Sequence, residues 1–183
     1  MLDCTKHGVD LWGYGPFEKR HAELVETATA RGDKPPVGHE LFRRAYEGES
    51  GQRASLVMAV AAAEVGVKEC IIDLAPDTEW LALNVPSPPL DKILKKYLPG
   101  LKKKCMDPNR LDEIPQSITK VLKRAMEIRN EIAHKGAPPP CSAELIEILT
   151  AVHDLLYILD YYCGHEWALE YLSKQTKQKL RLQ

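Results

Sequence analysis

Six consecutive residues, Arg129-Asn130-Glu131-Ile132-Ala133-His134, bring together a guanidinium, a carboxamide and an imidazole in roughly one and a half turns of a helical segment. A guanidinium is always charged, and its paired N–H groups match the oxygens of a carboxylate or phosphate. An imidazole takes up and releases protons near neutral pH. The spacing adds a second point. On a helical wheel at about 100° per residue, Ile118, Val121, Leu122, Ala125, Ile128 and Ile132 share one side, and Arg129 falls among them. A cation in an apolar stripe loses solvation and needs a partner. The same wheel drawn for residues 50–74 puts Glu64 among Val57, Val60 and Ile71. The expected arrangement is Glu64 facing Arg129 across a helix interface. Such a pair fixes register on its own, without any catalysis, so the functional weight falls on the Asn130 and His134 that follow.

The elements that must hold these residues read as helices throughout. No segment alternates apolar and polar residues between turn signals, as a half-buried strand would. A first helix is expected over Pro16–Ala30, stopped by Gly32 and the Pro35-Pro36 pair. A second begins near His39, breaks between Gly48 and Gly51, and resumes as a long helix from about Ser50 to Leu74, where Pro76 ends it. Residues 75–115 carry seven prolines and read as irregular, with one short helix over Leu90–Leu98. The helix bearing the motif runs from about Gln116 to His134, closed by Gly136 and Pro138-Pro139-Pro140. A last helix, with Ser142 as its N-cap, is expected to reach about Leu172 with a bend at Gly164, and the basic tail after it to fray. The reading is an all-α bundle of about four to six helices, with a helical extension over residues 1–35, a main domain over 36–173 and a tail over 174–183.

Composition narrows the function classes. With 44% hydrophobic and 28% charged residues and a net charge of -1, the chain has the make-up of a globular protein, with no global attraction to nucleic acid or membrane. No apolar run approaches the roughly 20 residues of a membrane span, and the N-terminus shows no basic-then-apolar signal pattern, so a cytoplasmic location is expected. Five cysteines without a CxxC pair speak against both a disulfide framework and a zinc site. No metal or other cofactor is expected, and no Gly-rich loop is present to cradle phosphates.

The RNEIAH segment, of the form Arg-Asn-x-x-x-His and followed by KG, resembles the signature of the HEPN superfamily, the all-α nucleotide-binding domains of higher eukaryotes and prokaryotes. The Ala61-Ala62-Ala63-Glu64 helix resembles the first long helix of such domains, and ILTAVHDLLYILDYYCGHEWA their final one, so the resemblance covers roughly residues 37–172. It implies a metal-independent endoribonuclease, commonly a toxin or antiviral-defence effector, working as a homodimer that brings two motifs together. Carried over by position, Arg129 would stabilise the scissile phosphate, His134 would act as general acid or base, and Asn130 would position either. Glu64 would hold Arg129. Such an enzyme cleaves RNA by attack of the 2′-OH on the adjacent phosphorus, and a toxin would also have an antitoxin or other regulatory protein as partner. The competing reading is a non-catalytic dimeric module in a larger assembly, with the same residues retained for packing.

Lys95, Lys96, Lys102, Lys103 and Lys104, flanked by Lys92 and Arg110 with Tyr97 among them, are the candidate RNA-backbone contacts. Lys120, Lys123 and Arg124 would extend that patch. His153 and Asp160 are expected in buried hydrogen bonds, His165 and Trp167 in helix-end packing, and His7, His21 and His39 on the surface. Trp12, Tyr14 and Phe17 are expected to pin the N-terminal segment to the bundle.

Overall fold

The computed structural model describes residues 36–48, 51–86, 88–107 and 111–181. The expectations placed on the helix over Pro16–Ala30, on His7, His21, Trp12, Tyr14 and Phe17, and on Arg110 lie outside them. Among the described residues every regular element is helical, and the protein is all-α. No helix among them is long and apolar enough to cross a membrane. Residues Pro36–Leu172 form one compact unit.

Helix α1 spans Val37–Glu47 and α2 spans Gly51–Leu74. The break between them is built on glycine: Gly48 sits at φ 67° and Gly51 at φ 84°, conformations that disfavour any side chain. Pro36 gives α1 no side-chain cap, and the cap comes from α2. The Glu69 carboxylate accepts hydrogen bonds from the N–H groups of Val37 at 2.8 Å and Gly38 at 3.1 Å. That reach depends on a close crossing. A Cβ on Gly38 would lie 2.9 Å from the Gly66 backbone, and one on Gly66 would lie 2.3 Å from the Leu156 side chain.

After Pro76 come a 3₁₀ turn, Pro76–Thr78, and the short helix α3, Glu79–Asn84, neither of which buries a residue. The expected helix over Leu90–Leu98 is real but not uniform. It opens as α4, Leu90–Lys92, widens into a π-helical turn over Ile93–Tyr97 and tightens into a 3₁₀ turn over Leu98–Gly100. The changes of pitch let Leu90, Ile93, Leu94 and Leu98 all reach the core before Pro99 removes a backbone donor.

Helix α5, Gln116–Lys135, carries the motif. Pro115 sets its start, and Gly136, at φ 65°, closes it by donating to the Ile132 carbonyl at 3.2 Å. Helix α6, Ser142–Tyr162, is the hub of the bundle. It packs against α1, α2 and α5 and is buried on nearly every side, from Leu145 to Tyr162. A helix apolar almost all round belongs inside a bundle rather than on its surface. Truncating one of its buried leucines to alanine is expected to cost about 2–5 kcal/mol.

Two expected boundaries on α6 are corrected. Ser142 is its first helical residue, preceded by Cys141 as N-cap, and the Ser142 hydroxyl accepts a hydrogen bond from Gln52 Nε2 at 2.9 Å. The helix stops at Tyr162 rather than near Leu172, because Gly164 turns the chain at φ 100° into a 3₁₀ helix over Glu166–Tyr171. The segment after Leu172 also differs from expectation. Lys174–Leu180 forms a helix, α7, whose N-terminus is capped by the Ser173 hydroxyl accepting from the Thr176 N–H.

Candidate functional site

The carboxylate found on the wheel meets its guanidinium. Arg129 Nη2, on α5, donates to Glu64 Oε1, on α2, at 2.7 Å. The two side chains remain 32% and 40% exposed. This corrects the expectation of a desolvated cation: Arg129 sits at the edge of the apolar stripe, and about a third of its side chain stays open to solvent. An ion pair this exposed contributes about 0–1 kcal/mol to stability. Its larger effect is to hold one nitrogen of the guanidinium in place.

Asn130 and His134 are exposed, and neither has a hydrogen-bond partner among the described residues. They lie one turn apart, on the same face of α5. Five residues at about 100° each put His134 about 140° around the helix from Arg129 and about 7.5 Å further along it. Asn130 falls between them. One copy of the chain thus spreads the three groups across a broad polar face instead of gathering them in a cleft. The face ends where α5 ends, with His134 and Lys135 in the last turn before Gly136.

A residue that the sequence reading missed fixes that end. Arg53, in the first turn of α2, donates through Nη2 to the Ala137 carbonyl at 3.1 Å. With the Gln52–Ser142 hydrogen bond it ties the start of α2 to the turn that follows His134. The signal was available: Arg53 lies eleven residues before Glu64, three turns along one face of α2.

The lysine run does not form one patch. Lys95 and Lys102 are exposed. Lys96 is also exposed and lines an apolar groove. Lys103 is the reverse of a surface contact. Its side chain is 3% exposed, with Nζ 2.9 Å from Asp112 Oδ1 and 4.4 Å above the centroid of the Tyr162 ring, and it also donates to the Asp112 carbonyl. Lys104 Nζ lies 2.8 Å from Asp73 Oδ2, and that hydrogen bond raises its pKa. The backbone explains the split. The Lys104 N–H donates to the Tyr162 carbonyl at 2.8 Å, which pins the loop against the end of α6 and turns Lys103 inward. Lys120, Lys123 and Arg124 are exposed on α5, and Arg124 lies 3.5 Å from Glu144.

The other described histidines, His39, His153 and His165, each contact neighbours within the bundle. His153 is 2% exposed, and its Nδ1 lies 3.1 Å from the carboxylate of Asp154, itself 1% exposed. The His153 ring packs against Phe42 and Tyr157. Asp160 pairs at 2.9 Å with His39 Nε2, so His39 is not the free surface residue its spacing suggested. His165 packs beside Trp167, with ring centroids 5.7 Å apart.

Of the three chemistry-bearing groups on α5, then, Arg129 is anchored, and Asn130 and His134 are open. Comparison with protein-family models, with curated proteins and with solved structures finds no match for this chain.

Proposed function

We propose that the protein is a metal-independent endoribonuclease of HEPN type, acting as a homodimer and serving as a toxin or defence effector. The observation that carries this reading is that the Asn130 and His134 side chains are exposed and have no hydrogen-bond partner among the described residues, beside an arginine already held by Glu64. A residue kept for packing would be buried with its polar atoms satisfied, as His153 is. Open polar groups next to an oriented cation suit a ligand instead.

In this mechanism the RNA 2′-OH attacks the adjacent phosphorus, giving a 2′,3′-cyclic phosphate and freeing the 5′-oxygen of the next nucleotide. Arg129 stabilises the charge on the phosphorane with the N–H groups that Glu64 leaves free. His134 moves a proton, as base to the 2′-OH or as acid to the leaving oxygen. Asn130, between them on the helix, orients the phosphate. The broad angular spread in one chain is the argument for a second copy: a two-fold axis would pair Arg129 of one protomer with His134 of the other and supply both an acid and a base. Lys95 and Lys102 remain as backbone contacts, and an antitoxin-like partner would act by covering this face.

The test is cleavage of a defined RNA in excess EDTA, with analysis of the product ends. The expected product carries a 2′,3′-cyclic phosphate. A 3′-hydroxyl product, or cleavage abolished by the chelator, would overturn the mechanism.

A further inference from the structure

On the side of the bundle where the chain leaves α2, residues 68–97 enclose an open groove of about 400 Å³. This is within the roughly 300–1,000 Å³ typical of sites that take apolar anchors. Ile71, Leu81, Val85 and Tyr97 form its walls, with Pro86 and Pro88. Thr78 and the phenol of Tyr97 supply the uncharged polar groups of the lining. The charged residues lining it are all lysines, Lys68, Lys92 and Lys96, and none of the three is paired with a carboxylate among the described residues. Apolar exposure continues past the groove itself. Trp80 and Leu83, 67% and 63% exposed, stand one turn apart on another face of α3.

We propose that this groove and α3 form a docking surface for an acidic amphipathic peptide segment of a partner protein, with apolar anchors in the groove and Asp or Glu against the lysines. A small ligand filling the groove would leave Trp80 and Leu83 in water, whereas a peptide laid across α3 covers them. RNA could use the lysines and the Tyr97 ring, but it would leave the aliphatic and proline walls and the exposed Trp80 and Leu83 without a matching apolar partner. A second copy of this face offers less charge complementarity to the groove than an acidic peptide does, because the charged lining is lysine on both copies.

The experiment is selection of random 16-residue peptides displayed on phage against the full chain, with depletion on Leu81→Asp. Leu81 is more than half exposed, so this change should leave the fold intact; Leu81→Ser replaces it should circular dichroism show otherwise. The expected outcome is enrichment of peptides with two or three apolar anchors flanked by Asp or Glu. A synthetic copy should bind at least tenfold more weakly to Leu81→Asp and to the Lys68→Glu/Lys92→Glu/Lys96→Glu variant. Several outcomes overturn the proposal: no enrichment over the variant, enriched peptides that are basic, or undiminished binding to the lysine-reversed chain. So do displacement of the peptide by a 12-nucleotide oligouridine, and self-association lost on Leu81→Asp, which would assign the face to RNA or to a second copy.

Discussion

His134 and His153 lie on neighbouring helices of one bundle and have opposite surroundings. His153 is closed in by Asp154, Phe42 and Tyr157, and close by Asp160 holds His39. His134 stands exposed at the end of α5, its side chain without a hydrogen-bond partner among the described residues, beside an equally open Asn130. The difference shows where the fold uses its polar groups. On α6 His153 and Asp154 are buried because the hub helix is surrounded there, and an internal partner offsets their lost hydration. On α5 the apolar stripe is narrow, and the polar face opens to solvent. If the proposed function holds, the two histidines should separate stability from activity.

The largest expected effect comes from exchanging their roles. His134→Ala should reduce RNA cleavage about 10²–10⁴-fold, the usual contribution of a general acid or base, and leave stability within about 0.5 kcal/mol, as at other surface positions. His153→Ala should do the opposite. It removes the buried ring that packs against Phe42, Tyr157 and the Asp154 carboxylate, and should destabilise the fold by about 2–4 kcal/mol, read as a midpoint loss of urea or thermal unfolding, with cleavage per folded molecule unchanged. Equal activity losses in both variants would erase the distinction.

Glu64→Gln probes the boundary between the two regimes. The exposed pair should cost less than about 1 kcal/mol to lose, yet the guanidinium keeps only a neutral amide acceptor in place of the carboxylate that holds it. Cleavage should fall about tenfold, chiefly in the turnover rate, with thermal unfolding nearly unmoved. A large stability loss with no kinetic change would make Glu64 and Arg129 a structural pair only.

The smallest effect concerns the closed end at high pH. Burial pushes the Tyr161 phenol up to about 12, and its hydroxyl donates to the Asp107 carbonyl at 2.6 Å. Burial raises Tyr162 as well. Between the ordinary tyrosine value of about 10 and the raised one, the folded chain keeps protons that the unfolded chain has lost, so stability falls as pH rises through that window. Alkaline unfolding followed by tyrosinate absorbance should begin above about pH 10, and Tyr161→Phe should lessen it.

Much of the scaffold was legible because it is written in local signals. Pro76, Pro115 and Gly136 end or begin helices by their own backbone chemistry, and the 3.6-residue period alone placed Glu64 opposite Arg129. The degree of burial was not legible, because it depends on what the neighbouring helix contributes at that height. Arg129 looked central on its wheel and proved to be at the margin. Lys103 failed for the same reason. A lysine in a run of three reads as solvated, and nothing local announces that Tyr162 and Asp112 will enclose it. His39 and Asp160 are separated by more than a hundred positions, so their pairing is purely a product of tertiary structure. The groove beside α3 was equally hidden, since its walls come from α2, a proline-rich loop and a π-helical turn whose pitch no periodicity rule anticipates.

The crossing of α1 and α2 narrows the chemistry open to this chain in one more way. At positions 38 and 66 two backbones and the Leu156 side chain meet with no room for a methyl group, and the Glu69 latch on the start of α1 closes only at that separation. Elsewhere on the outer face of α1, at Arg43 or Arg44, exposed side chains can be exchanged freely. At the crossing glycine is favoured most strongly at position 38, where an added Cβ would meet backbone. A collection of random variants should thus keep glycine at position 38 even where every residue of the motif on α5 has drifted, because there the fold itself, and not the chemistry it carries, makes the selection.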